Sequence, residues 1–321
     1  MEAMSVSPWV WLGFTAFVLS MLALDLGVFH RNAHVVSFKE ALNWSLVCVG
    51  LAAAFNAGIY HWYGGEKALE FTTGYLIEMA LSVDNIFVFL VLFSYFAVPP
   101  ALQHRVLFWG VLGALVLRAI FIALGSALLQ EFHWVIYLFG GLLVLTGIRL
   151  LLHQNSEMHP ERNPLYRLFK RYVPAVPDYR GSAFVVREGG RWLATPLLLV
   201  LVLVEGTDLV FAIDSIPAIF AVTKDPFIVY TSNIFAILGL RSLFFLLAGV
   251  VEKFHHLKTG LALVLAFVGS KMMLVDLYKI PIGVSLGVVV ALIGGSIALS
   301  LLRPKATEGA PVSERRAAQG S

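Results

Sequence analysis

Nine windows of about 20 mostly apolar residues follow one another along this chain, roughly at 8–28, 40–60, 72–97, 105–126, 132–152, 195–222, 227–250, 258–276 and 281–302. In lipid a backbone must satisfy its own hydrogen bonds, and an isolated window of this length does so only as a helix. With 59% hydrophobic and 13% charged residues, the chain reads as an all-α, polytopic membrane protein with nine transmembrane helices rather than a pair of soluble domains. The transmembrane domain covers 1–302, interrupted by an insert at 153–194. A polar tail at 303–321 is expected to be disordered. The first window follows no basic run, so it reads as a retained helix and not a cleaved signal. The net charge of +3 is too small to point to nucleic acid. Cys48 is the single cysteine, which excludes an intrachain disulfide framework and a Cys-based zinc site.

Orientation follows from the basic residues. The connections after the first, third, fifth and seventh windows, with the tail, hold 17 of the 23 Lys and Arg, among them Arg31, Lys39, Arg105, Lys253, Lys258 and Arg315. The other side holds Lys67, Lys224 and Lys279, and Arg118, Arg241 and Lys271 lie within windows. This asymmetry expects the N-terminus outside and the C-terminus in the cytoplasm, in a bacterial inner membrane. Within the cytoplasmic insert, Asn163 to Tyr172 mixes basic and bulky apolar residues as a helix on the membrane surface would. Phe184 to Leu193 centres on Gly189-Gly190, a hairpin signal.

Into this apolar background the chain writes one acidic pattern twice: Glu78-Met-Ala-Leu-Ser-Val-Asp84-Asn85, and Asp208-Leu-Val-Phe-Ala-Ile-Asp214-Ser215 with Glu205 just upstream. A carboxylate at the bilayer centre is disfavoured by about 2.5–3.5 kcal/mol on insertion scales, so five charged ones would weaken insertion by on the order of 10 kcal/mol. The duplication continues: Leu117-Arg118 matches Leu240-Arg241 one helix later, and Gly147-Ile-Arg149 matches Gly269-Ser-Lys271 one helix after that. Windows 72–152 and 195–276 thus read as two three-helix units. Three is odd, so the units cross the membrane in opposite senses, an inverted repeat of the transporter kind with its site between the copies.

Carboxylate, amide and hydroxyl oxygens are the donors that hard divalent cations prefer. Glu78, Asp84, Asn85, Glu205, Asp208 and Asp214, with Ser215, therefore form the candidate metal set, with Mn²⁺, Ca²⁺ or Mg²⁺ as the cation. Neither motif contains His or Cys, which argues against zinc or copper. Arg118, Arg241 and Lys271 are the candidate charge-balancing groups. Carboxylates gathered in one site share protons when no cation is present and release them on binding, so proton exchange is the natural coupling. At about 100° per residue, Glu205 and Asp214 point oppositely on a straight helix. Either they serve different partners, or the helix bends or unwinds between Gly206 and Pro217. Asp25 is expected to pair near Arg31, Asn56 and Asn233 to bridge helices, and His30, His34, His255 and His256 to be solvated. Lys271 is expected in the inner half of its span.

These same motifs resemble those of the TerC family of integral membrane proteins. Gly74 to Asn85 is similar to its first signature, and Asp208 to Phe227, continued by Thr231-Ser-Asn233 to Arg241, to its second. Length and insert are most similar to the family's Alx-type manganese exporters. The resemblance runs from about residue 10 to 300 and implies export of manganese through Glu78, Asp84, Glu205, Asp208 and Asp214. Gly206 departs from the family pattern, where a larger apolar residue stands. Three other readings are weighed against export: a calcium/proton exchanger of the same fold, a scaffold supplying metal to secreted proteins, and an intramembrane aspartyl protease. The protease lacks its Gly-x-Gly-Asp motif here, so the chain is not read as an enzyme.

Overall fold

The computed structural model describes residues 6–24, 36–152, 161, 163–248 and 256–302. Within them lie ten α-helices and one hairpin: α1 (Pro8–Leu24), α2 (Phe38–Tyr63), α3 (Gly65–Tyr95), α4 (Pro100–Glu131), α5 (Val135–Leu152), α6 (Pro164–Tyr172), β1 (Val185–Glu188), β2 (Arg191–Ala194), α7 (Pro196–Phe220), α8 (Pro226–Leu247), α9 (Leu257–Met273) and α10 (Ile282–Leu302). Proline opens α1, α4, α6, α7 and α8, where its missing N–H costs the helix nothing. Ser37 and Glu40 close a capping box at the start of α2. Gly64, at φ 90°, turns the chain from α2 into α3 in a conformation that side-chain-bearing residues avoid.

Seven of the described helices, α2, α3, α4, α5, α7, α8 and α10, are long and apolar enough to cross a membrane. The described parts of α1 and α9 are 17 residues each. Three helices outrun their apolar windows: α2 spans Phe38–Tyr63 rather than 40–60, α3 starts at Gly65 rather than 72, and α4 spans Pro100–Glu131 rather than 105–126. Charged residues such as Glu66, Lys67 and Glu70 dilute the apolar signal in the first turns of α3 without weakening its backbone ladder.

The expected unwound turn in α7 is absent, because the helix runs uninterrupted through Gly206 and Pro217. Pro217 removes one backbone donor, and the tight burial of Ser215 to Phe220 outweighs that local cost. The acids on α7 therefore face different partners.

The core is built around α8, whose face from Phe227 to Phe244 is almost wholly enclosed by α2, α3 and α4. Phe14 of α1 and Phe55 of α2 lock onto Phe227 and Phe235, with ring centroids 5.0–6.2 Å apart. On the other flank α5 packs along α9 with almost nothing between the backbones. A Cβ on Gly140 would stand 2.8 Å from the Gly269 carbonyl, and one on Gly147 2.7 Å from the Ala262 carbonyl.

The insert docks on the bundle. Gly189 and Gly190, at φ 57° and 78°, make the hairpin turn, pairing Arg187 with Trp192. Tyr179 donates to the Phe96 carbonyl at 2.8 Å and Arg105 to Ser182 at 2.7 Å. Helix α6 begins at an Asn163 cap and buries Phe169. Its Leu165 packs onto Gly206 of α7, so α6 is a bundle element as well as an amphipathic one. Expectations for Asp25, His30, Arg31, His34, Lys253, His255 and the tail fall outside the described residues.

Candidate functional site

Residues seven apart on a helix differ by about 20° around the axis. Glu78 and Asn85 therefore share one face of α3, and Asp208 and Ser215 share one face of α7. The two faces meet, with Arg118 of α4 between them. Its guanidinium grips Asp208 with two prongs, Nη2 to Oδ1 at 3.0 Å and Nε to Oδ2 at 3.4 Å, a geometry that suits a carboxylate. Through Nη1 it also donates to Glu78 and, at 3.1 Å, to Ser215. Asn233 of α8 donates to the second Glu78 oxygen at 3.0 Å, and Asn85 donates to Asp208 at 3.4 Å. Ser215 and Glu78 thus share one Arg118 nitrogen from opposite helices.

All six groups are buried: Glu78 and Asn233 are 0% exposed, and Arg118, Asn85, Ser215 and Asp208 at most 3%. Two carboxylates face one guanidinium. The amide oxygens of Asn85 and Asn233 lack a hydrogen-bond partner among the described residues, an arrangement that costs about 1–3 kcal/mol per buried group. The cluster is thus rich in oxygen acceptors and short of positive charge, a donor set suited to a hard cation.

The six expected ligands do not form one cage. Among the described residues no three His, Cys, Asp or Glu side chains gather as a metal group, and helical phase explains why. Asp84 and Asp214 lie about 100° off the shared faces. Asp214 instead accepts a hydrogen bond from Thr146 of α5 at 2.9 Å. Half-buried Asp84 lies in the field of Lys258 at the start of α9. Glu205 lays its carboxylate against Gly113 of α4, where any Cβ would displace it.

Of the charge-balancing candidates, Arg118 holds the centre. Arg241, buried at 4% exposure, lines a small cavity with Met21, Leu22, Trp44, Cys48, Phe108, Val111 and Leu238. Lys271 sits in the last turn of α9, in the field of Glu70. By the expected orientation this is the outer end of the span, not its inner half. Asn56 bridges α2 to α3 through Thr72 at 2.8 Å, as expected of it.

Asn233 is the group that sequence reasoning undervalued. The signal was its place two helix turns before Arg241 in a helix with little other polarity. Glu70 was missed altogether: it is 1% exposed, in a stretch that reads as a loop because it is charged.

The model of the integral membrane protein TerC family matches residues 63–308. An uncharacterized membrane protein of Myxococcus xanthus is 60% identical over 299 residues, covering 93% of this chain and 94% of that protein. Proteins of Escherichia coli and Salmonella typhi that carry, provisionally, the name membrane-bound redox modulator Alx are 52% and 51% identical over 293 residues, each covering 88% of this chain and 91% of its relative. No solved structure matches. With the family model spanning most of the chain and relatives above half identity along nearly its whole length, the chain belongs to the TerC family of integral membrane proteins.

Proposed function

We propose that this protein exports a divalent cation, manganese, from the cytoplasm through the Glu78–Asp208 centre, in exchange for protons. The observation that carries the reading is the buried surplus of acceptors: two carboxylates to one guanidinium, with two amide oxygens beside them that have no partner among the described residues. A centre built only for stability would balance its charges, since buried ions are costly unless fully paired. Arg118 occupies the carboxylates in the ion-free state, and an arriving cation takes its place as their partner.

The transport reading includes nine spans in an inner membrane, N-terminus outside, with α3–α5 and α7–α9 as inverted copies. Contacts that survive exchange of the copies support it. Exchanging the copies turns the approach of Gly140 to Gly269 into that of Ala262 to Gly147, and both occur. Exchange likewise turns Asn85 beside Asp208 into Ser215 beside Glu78: Asn85 donates to Asp208 directly, and Ser215 reaches Glu78 through a shared Arg118 nitrogen.

The test is the manganese content of cells overproducing the native chain beside Asp208→Asn in manganese-supplemented medium. Export predicts lowered cellular manganese with the native chain and normal levels with the variant. Equal levels at matched membrane expression would overturn it. A dithiol redox function finds no support, since Cys48 is the single cysteine and is buried.

A further inference from the structure

A second set of acidic groups lies on α3 at the end opposite Asp84. Eight residues before Glu78, about 12 Å along the helix, Glu70 is buried against the α7–α8 connection. One of its oxygens is held twice, by Lys67 Nζ at 3.0 Å and by the Thr223 hydroxyl at 2.5 Å. The other, Oε1, is buried without a hydrogen-bond partner among the described residues. Thr223 also accepts the Asp225 N–H at 3.1 Å, and the second Asp225 carboxylate oxygen lies 3.8 Å from Lys67. Glu70, Thr223 and Asp225 are all at most 2% exposed, whereas the Lys67 side chain is 15% exposed. Lys271 of α9 completes the surroundings from a third helix.

We infer that Glu70, Thr223 and Asp225 form a second cation station at this end of the path, in which the Lys67 ammonium holds the place of a divalent ion. The inference rests on the transport reading and adds a site to it. A carboxylate placed only to brace helices would divide its donors between its two oxygens. Here one oxygen takes both and the other is left buried and unsatisfied, a cost that a cation bound across Glu70 and Asp225 would recover. The station is not a product of the repeat, because the position of α7 equivalent to Glu70 is Val200. A cation leaving the Glu78–Asp208 centre would meet it next. Swinging Lys67 toward water vacates the seat for an ion that neutralises both carboxylates, and its return expels the ion and covers one of the two charges.

The experiment is Mn²⁺ binding to the purified full-length chain in detergent, read as loss of the free Mn²⁺ paramagnetic signal. Native protein should bind two ions, and Glu70→Gln and Asp208→Asn should each bind one. Lys67→Met removes the competing ammonium and should tighten one of the two sites about tenfold. That gain would distinguish a ligand set from a brace, since damage to a brace tightens nothing. One ion on native protein, lost in Asp208→Asn and kept in Glu70→Gln and Lys67→Met with unchanged affinity, overturns the second station and leaves the central site standing. Stoichiometry unaffected by either carboxylate variant, or no binding at all, overturns both.

Discussion

Helices α3 and α7 carry the same acidic spelling and are built into the bundle differently. Each brings one carboxylate, Glu78 or Asp208, onto Arg118, and each sends a second, Asp84 or Asp214, to a different neighbour. Beyond that shared middle they part. Helix α3 carries an extra buried acid, Glu70, bound into the α7–α8 connection. Helix α7 carries its extra acid, Glu205, against α4, next to the notch at Gly206 that Leu165 fills. The extra acids lie on opposite sides of the common centre. On the proposed transport reading, a repeat supplies the symmetric site, and these departures from it give the path two different ends.

The largest effect should come from the group both helices share. Arg118→Met leaves two carboxylates buried without their partner, and breaking such a pair costs about 3–5 kcal/mol. Thermal unfolding in detergent should show it, and a loss under 1 kcal/mol would mean that the helices do not depend on a common counter-ion. Next, Glu78→Gln and Asp208→Asn should slow manganese transport in proteoliposomes equally, by about 100-fold or more, corresponding to about 2.7 kcal/mol. Unequal losses would show that one helix dominates the centre.

The two ends can then be separated. Gly206→Val drives a side chain into Leu165, and overpacking of this kind costs about 1–3 kcal/mol. Leu165→Ala in the same chain should recover most of it, and a double-mutant cycle without coupling would remove α6 from the account of α7. Gly113→Ala displaces the flexible Glu205 carboxylate at a stability cost below about 1 kcal/mol. It should weaken apparent manganese affinity from the α6 side several-fold while leaving the opposite side unchanged.

The smallest effect concerns Asp276, three residues past the end of α9 and linked to the start of α5. Hydrogen bonds from Tyr137 and His133 hold the exposed Asp276 carboxyl below its ordinary range. A carboxylate lowered on folding stabilises the fold above its unfolded value near about 3.9, and that contribution fades as pH falls through the lower folded value. Asp276→Asn should therefore lower stability slightly at neutral pH, where the contribution is fully present, and leave it almost unchanged at acid pH below the folded value, so that the profile between them flattens.

Much of this was legible from composition, because a window that must satisfy its own backbone in lipid has few alternatives. The helix positions and the Gly189-Gly190 turn follow from elementary rules. The partition of the acids was legible in part: spacing six predicts divergence of Glu78 from Asp84, and spacing seven, which joins Glu78 to Asn85 and Asp208 to Ser215, was the decisive interval. Glu70 was hidden because apolar windows discard charged first turns. The continuity of α7 was hidden because Pro217 is a strong local signal overridden by tertiary packing that no local window contains.

The seam between α5 and α9 has a mechanical meaning. Backbones that meet at Gly140–Gly269 and Gly147–Ala262 touch directly, with Leu143, Val144 and Met272 packed beside the crossing points, so a roll about these points displaces fewer side chains than one elsewhere. Elsewhere in the bundle interlocked side chains resist such a movement. If the two halves rock, this line is their axle, and a single methyl at Gly140 or Gly269 should seize it without touching a carboxylate.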